Sequence, residues 1–196
     1  MRHRTGMCVL MMILGLSLSA CGGAEGGNRA EQLALDIRGE YLEMGGCTAS
    51  LELTADYGQR VYTYGIGLNY AREGETTLTI TAPENIAGVT ARMDGDEGIL
   101  EYEDLSLETG FLDGESLSPV SALPTLVEAA RTQYIDRCTL ADGVLEVHCA
   151  DPEEDAGTGR EVTLYFDAQT HALTGGEISQ DGRWVITCEI TEFTKT

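Results

Sequence analysis

Few side chains in this chain are placed, by type and spacing, to do covalent chemistry, and the clearest is Cys21. It closes the run Leu18-Ser19-Ala20-Cys21, in which small residues admit a peptidase and a cysteine thiol takes a diacylglyceryl group, the pattern of a lipobox. Arg2, His3 and Arg4 precede an apolar run from Met7 to Ala20 that is too short to cross a hydrocarbon core needing roughly 20 residues. Residues 1–20 therefore read as a lipoprotein signal peptide, and cleavage makes Cys21 the new N-terminus. One acyl chain holds a protein only marginally, at about 0.8 kcal/mol per buried methylene, so the two chains of a diacylglyceryl group supply the stable anchor. The expectation is a lipid-anchored protein on the extracytoplasmic face of the cell membrane. Residues 21–27 form the lipidated cysteine and a glycine-rich tether, and residues 28–196 a single domain.

Proton transfer has less to work with. Past the signal segment only two histidines remain, His148 in an apparent strand and His171 in the turn Gln169-Thr170-His171. Neither sits in a recognisable motif. The chain has no Gly-x-Ser-x-Gly, no His-Glu-x-x-His, no Walker loop and no Gly-x-Gly-x-x-Gly. The reading is non-catalytic, with no cofactor and no metal expected. Asp151, Glu153 and Asp155 alternate in the manner of a calcium loop. The EF-hand template fails there, with Ala156 where the loop needs glycine and Val162 where it needs the bidentate glutamate. Cys47, Cys138, Cys149 and Cys188 lie in the exported domain, where disulfides are permitted but a core of this size does not need them. Pairing and buried free thiols both remain open. Symmetric pairing about Ala141-Asp142-Gly143 puts Cys138 opposite Glu146, so a simple hairpin does not join Cys138 to Cys149.

Charge narrows the partners. The 196 residues carry 33 Asp and Glu against 12 Lys and Arg, and the basic residues are scattered singly, with Lys195 the only lysine. A phosphate backbone needs a basic patch, so nucleic acid is excluded. Loss of residues 1–20 removes two arginines and no acids, which takes the formal charge from -21 to -23. Anionic headgroups repel such a surface, so the membrane contact is the anchor and not an electrostatic face. The same charge favours a basic protein partner.

The elements that must position these residues follow from hydrophobic period. Asn28 and Glu31 resemble a capping box, and Leu33, Ile37, Tyr41 and Met44 recur at helical spacing, which predicts a helix over about 29–44 ended by Gly45-Gly46. From Cys47 the period becomes two. Tyr62, Tyr64, Ile66, Leu68 and Tyr70 alternate with small or polar residues in the cleanest strand of the chain. Further strands are expected at about 76–81, 88–93, 98–103 and 105–108, then 134–140, 144–149, 160–167, 173–179 and 184–193. Between the two sets, Ser118-Pro119 opens a second helix, about 119–132, with Val120, Leu123, Leu126, Val127 and Ala130 as its apolar stripe. Some ten strands and two helices give an α+β domain. Two helices cannot cover so wide a flat sheet, so the expected architecture is a large curved antiparallel sheet wrapped around the helices. The face from Tyr62 to Tyr70 is then either plain core or the lining of a lipid-accepting concavity; its three phenols each want a partner, more easily met at a rim.

This order of elements, with the segment Pro83-Glu84-Asn85-Ile86-Ala87-Gly88 between the strand set and the Ser118-Pro119 helix, resembles the LolA and LolB lipoprotein-carrier superfamily over about residues 28–196. The resemblance implies a LolA-like half-barrel without catalytic residues that holds acyl chains or a hydrophobic partner. It further implies that Tyr62, Tyr64, Ile66, Leu68 and Tyr70, with Leu123 and Leu126, form the ligand-binding face. The tether at Cys21 is similar to the anchored acceptor, not the soluble shuttle. Lipobox proteins of this length also look like the GerS-like germination lipoproteins, which implies an adaptor that binds a cell-wall enzyme such as an amidase.

Overall fold

Period-two segments in the sequence become strands nearly where the alternation places them. The computed structural model describes residues 23–94, 97–103, 105–108 and 118–196. Helix α1 spans Gly23–Glu43 and is followed by strands β1 (Gly46–Asp56), β2 (Val61–Ala71), β3 (Thr76–Ala82), β4 (Thr90–Asp94), β5 (Glu97–Tyr102) and β6 (Leu105–Glu108). Helix α2 (Pro119–Thr132) leads to β7 (Ile135–Ala141), β8 (Val144–Cys149), β9 (Arg160–Asp167), β10 (Leu173–Gln180) and β11 (Arg183–Lys195). All eleven strands join one antiparallel sheet in the order β6-β5-β4-β3-β2-β1-β11-β10-β9-β8-β7. The two sets of strands expected from sequence are thus sewn together by β1 and β11, the first and last strands, in register Leu53 to Cys188.

The half-barrel is the expectation that fails. The strand order is linear with β6 and β7 at its two ends, and the sheet is open, neither curved nor barrel-like. The reason lies in what the sheet has to bury. Curling was needed only if the whole inner face demanded cover, yet the helices pack over one wing, α1 against β7 and β8 and α2 against β9, β10 and β11. On the other wing, strands β3 to β6, Leu78 and Ala91 are the buried apolar side chains among the described residues, while Leu105 and Leu107 at the edge stay 74 % and 63 % exposed. A wing with so little large apolar surface to hide gains little from bending round a helix.

Helix α1 starts six residues before the predicted position, because the backbone ladder continues through the glycines instead of stopping at a cap on Asn28. Its buried face is Ala30, Ala34, Ile37 and Tyr41. Tyr41 fixes it to the sheet: the ring meets Phe166 edge-on at 5.4 Å and stacks on Phe193 at 5.9 Å, and its hydroxyl donates to the His171 carbonyl at 3.2 Å. Helix α2 begins where the sequence places it. Ser118 Oγ accepts from the Ser121 N–H at 3.2 Å and Ser121 Oγ accepts from the Ser118 N–H at 3.3 Å, a reciprocal cap followed by Pro119 in the first turn. The helix runs unbroken through Pro124.

The turn between β7 and β8 corrects a register. Asp142 (φ 51°) and Gly143 (φ 81°) both lie in the left-handed region, a two-residue hairpin turn that pairs Ala141 with Val144. Cys138 therefore faces Val147, and Thr139 faces Glu146. All four described cysteines, Cys47, Cys138, Cys149 and Cys188, are free thiols. No described helix is long and apolar enough to cross a membrane.

Candidate functional site

Cys21 and the lipobox lie outside the described residues. The inner-face row of β2 lies within them. Tyr62, Tyr64, Ile66, Leu68 and Tyr70 pair across the ladder with Ala55, Leu53, Leu51, Ala49 and Cys47 of β1, so one side of both strands carries the whole set. Ile66 is 2 % exposed and Leu68 4 %, and both belong to the same buried cluster as Leu123 and Leu126 of α2. Tyr64 and Tyr70 pack against that cluster, and Tyr62 is exposed. The tyrosines split by position. At one end Arg131, in the last turn of α2, donates from Nη1 to the Tyr70 hydroxyl at 3.1 Å, which ties the helix to β2. At the other end Tyr62 stacks on Tyr64 and tilts against Tyr57, each with ring centroids 6.3 Å apart. Leu126 sits over β10, where Gly176 leaves it room: a Cβ on that glycine would lie 2.7 Å from both leucine methyls.

The two histidines occupy different surroundings. His171 (φ 58°) sits at the turn before β10, where its Nδ1 contacts Glu40 Oε1 at 2.6 Å. Glu40 also meets Lys195, whose ammonium lies 5.4 Å from the Tyr41 ring centre. The Lys195 hydrogen bond is the chief cause that holds the Glu40 carboxyl below its ordinary range. This trio clamps α1 to the end of β11 and to the β9–β10 turn, a structural use of all three side chains.

His148 is different. It points to the outer face of the sheet, yet its side chain is only 9 % exposed. Nδ1 lies 3.4 Å from Asp136 Oδ2 and Nε2 lies 3.4 Å from Glu161 Oε2, on opposite sides of the ring. Nδ1 makes no hydrogen bond. A neutral imidazole carries one N–H, so only one of the two carboxylates can be offered a donor. The ring lines a pocket of about 490 Å³ with Glu146 of β8, Glu161 of β9, Glu177 of β10, Tyr165 and Arg137. Register brings these side chains together. Arg137 pairs with His148, His148 with Thr163 and Thr163 with Glu177, while Glu146 pairs with Tyr165 in the next row. Burial, then the charges of Glu177 and Glu146, push the Tyr165 hydroxyl up to about 12.

Sequence reasoning noted His148 beside His171 without a role for either, and missed the carboxylates around His148. The signal existed in the alternation, since residues 146 and 148, 161 and 163, and 177 fall on the outward phase of three strands. Only the pairing order shows that β8, β9 and β10 are neighbours. Among the described residues no group of three or more His, Cys, Asp or Glu side chains is arranged to hold a metal ion. In the acidic segment 151–159, Asp151 Oδ1 accepts from the Glu153 N–H at 2.9 Å, so that carboxylate is used to shape its own turn.

No protein-family model matches the chain, and no curated protein matches it. Solved structures of low identity do align over most of its length. LprF from Mycobacterium bovis is 12 % identical over 85 % of this chain and 93 % of its own, with a TM-score of 0.46. A LolA superfamily protein from Nitrosomonas europaea is 12 % identical over 84 % and 92 %, with a TM-score of 0.42. A chain in the structure of the CwlD amidase from Clostridioides difficile in complex with the GerS lipoprotein is 16 % identical over 85 % and 92 %, with a TM-score of 0.38. Similarity at this level assigns neither an activity nor a ligand nor a partner.

Proposed function

We propose that this chain is a non-catalytic binding protein, anchored to the extracytoplasmic face of the membrane through diacylglyceryl-Cys21, that docks a cell-envelope protein on its surface. The observation that carries this reading is the burial of the aliphatic members of the expected ligand face. Ile66, Leu68, Leu123 and Leu126 are each at most 4 % exposed and pack into one core. A residue that lines a lipid site must have a face open to the lipid, and side chains already sealed by their neighbours have none. An adaptor needs no internal space; it needs a filled core and a distinctive outer surface, and the formal charge of -23 after loss of residues 1–20 supplies the latter. A cell-wall enzyme such as an amidase is the kind of partner that the adaptor reading takes.

A second reading, a hydrophobic ligand held on the inner face, is favoured by one feature, the partly exposed tyrosines Tyr57 and Tyr62 beside Tyr64. One experiment separates the two. The lipidated protein is extracted in mild detergent, and native mass spectrometry reads any mass beyond the chain and its own acyl groups. The adaptor reading expects no stoichiometric lipid, and in-cell crosslinking to yield a protein of defined mass. Stoichiometric lipid that disappears in Leu68→Arg while the fold persists overturns it.

A further inference from the structure

We infer that the outer-face pocket between β7 and β10 receives an arginine side chain presented by the partner protein; the inference rests on the adaptor reading and deepens it. Four observations converge. The pocket of about 490 Å³ is large enough for one long side chain and opens on a sheet face, not a core. Its wall carries Glu146, Glu161 and Glu177 against one base, Arg137, and that base is turned to Asp136 at 3.2 Å. His148 is nine-tenths buried in the same wall, with Nδ1 making no hydrogen bond and Nε2 3.4 Å from Glu161 Oε2. The acidic strip also continues beyond it, with Glu189 of β11 directly opposite Glu52 of β1, a like-charge pair that costs stability until a cation covers it.

The shape of the acceptor set selects the cation. Glu146 and Glu177 flank Tyr165 from the strands on either side of it, so their carboxylates and the phenol oxygen form acceptors spread across the pocket. A guanidinium offers five N–H donors in a planar fork and is more weakly hydrated than an ammonium, which suits several separated oxygens in a partly enclosed site. A metal ion wants its ligands on one shell, whereas Asp136 and Glu161 approach His148 from opposite sides of the ring.

The test uses the full lipidated protein in non-ionic detergent, titrated calorimetrically with an acetylated, amidated tetra-arginine peptide at about 150 mM salt. Glu146→Gln combined with Glu177→Gln removes two charges from the pocket, and Asp151→Asn combined with Glu153→Gln removes two from the acidic loop. The pocket variant is expected to lose at least about tenfold in affinity, as two charge-assisted hydrogen bonds imply, and the loop variant less than about twofold. Tyr165→Phe, which keeps the ring and so the fold, is expected to weaken binding about threefold. Equal losses in the two charge variants, no binding of tetra-arginine to the wild type, or displacement of the peptide by millimolar calcium with the same variant dependence would each overturn the inference. Failure here leaves the adaptor reading standing if a crosslinked partner is captured without lipid. Stoichiometric lipid in the native mass removes the adaptor reading whatever the peptide does.

Discussion

Replacement of Leu126 by alanine asks whether α2 seals a core or lids a space. Leu126 is fully buried, and it fills the gap that Gly176 leaves beneath it, since a Cβ there would stand 2.7 Å from both leucine methyls. Leu126→Ala removes three carbons, worth about 2.4 kcal/mol in transfer at about 0.8 kcal/mol each. The cavity left behind raises the total toward about 5 kcal/mol if the neighbours cannot collapse. Gly176→Ala on its own crowds the same methyls and is expected to cost about 1–3 kcal/mol. Together the two changes compensate, because the new methyl enters the space the leucine vacates. The double variant should therefore be more stable than the sum of the singles by about 1–2 kcal/mol. Urea unfolding followed by far-UV circular dichroism on wild type and all three variants measures each term, with an unchanged slope as the check that the denatured state is the same. A cost below about 1 kcal/mol for Leu126→Ala, with strictly additive behaviour in the double variant, would refute the sealed core and return the inner face to the ligand reading.

Other consequences are simpler to read. Burial pushes the thiols of Cys47 and Cys149 to about 11 and that of Cys188 to about 12, so at pH 8 a disulfide reagent should label Cys138 first and reach the other three only on addition of denaturant. Glu40 has its folded pKa lowered by Lys195, so its contribution to stability is complete above the unfolded carboxyl value and lost as pH falls through the lower folded one. Glu40→Gln should thus flatten the acid limb of a Tm-versus-pH curve below about pH 4.5, by a small amount because the carboxylate is 43 % exposed. Ser118→Ala removes the α2 cap and should cost about 1 kcal/mol in the same urea assay. Leu105→Lys and Leu107→Lys, at 74 % and 63 % exposure on the edge strand, should change stability by less than about 0.5 kcal/mol.

What the sequence by itself determined is the local grammar. Alternation in Tyr62 to Tyr70 and the Ser118-Pro119 start of α2 are decided by neighbours within a few residues, and both elements stand where those neighbours put them. The lipobox pattern at Cys21, which lies outside the described residues, is an expectation read from four consecutive residues. Tertiary structure decided the rest, because strand order and sheet shape depend on contacts between residues far apart in the chain. Pairing of β1 with β11 unites the two meanders, and no feature of either strand announces the other. The flat, open sheet follows from which wing the helices cover, a choice set by the total apolar surface to be hidden and not by any strand's own period. The pocket around His148 exists only because β8, β9 and β10 lie side by side with their outward phases in register, which gathers carboxylates separated by as many as 31 residues around one imidazole.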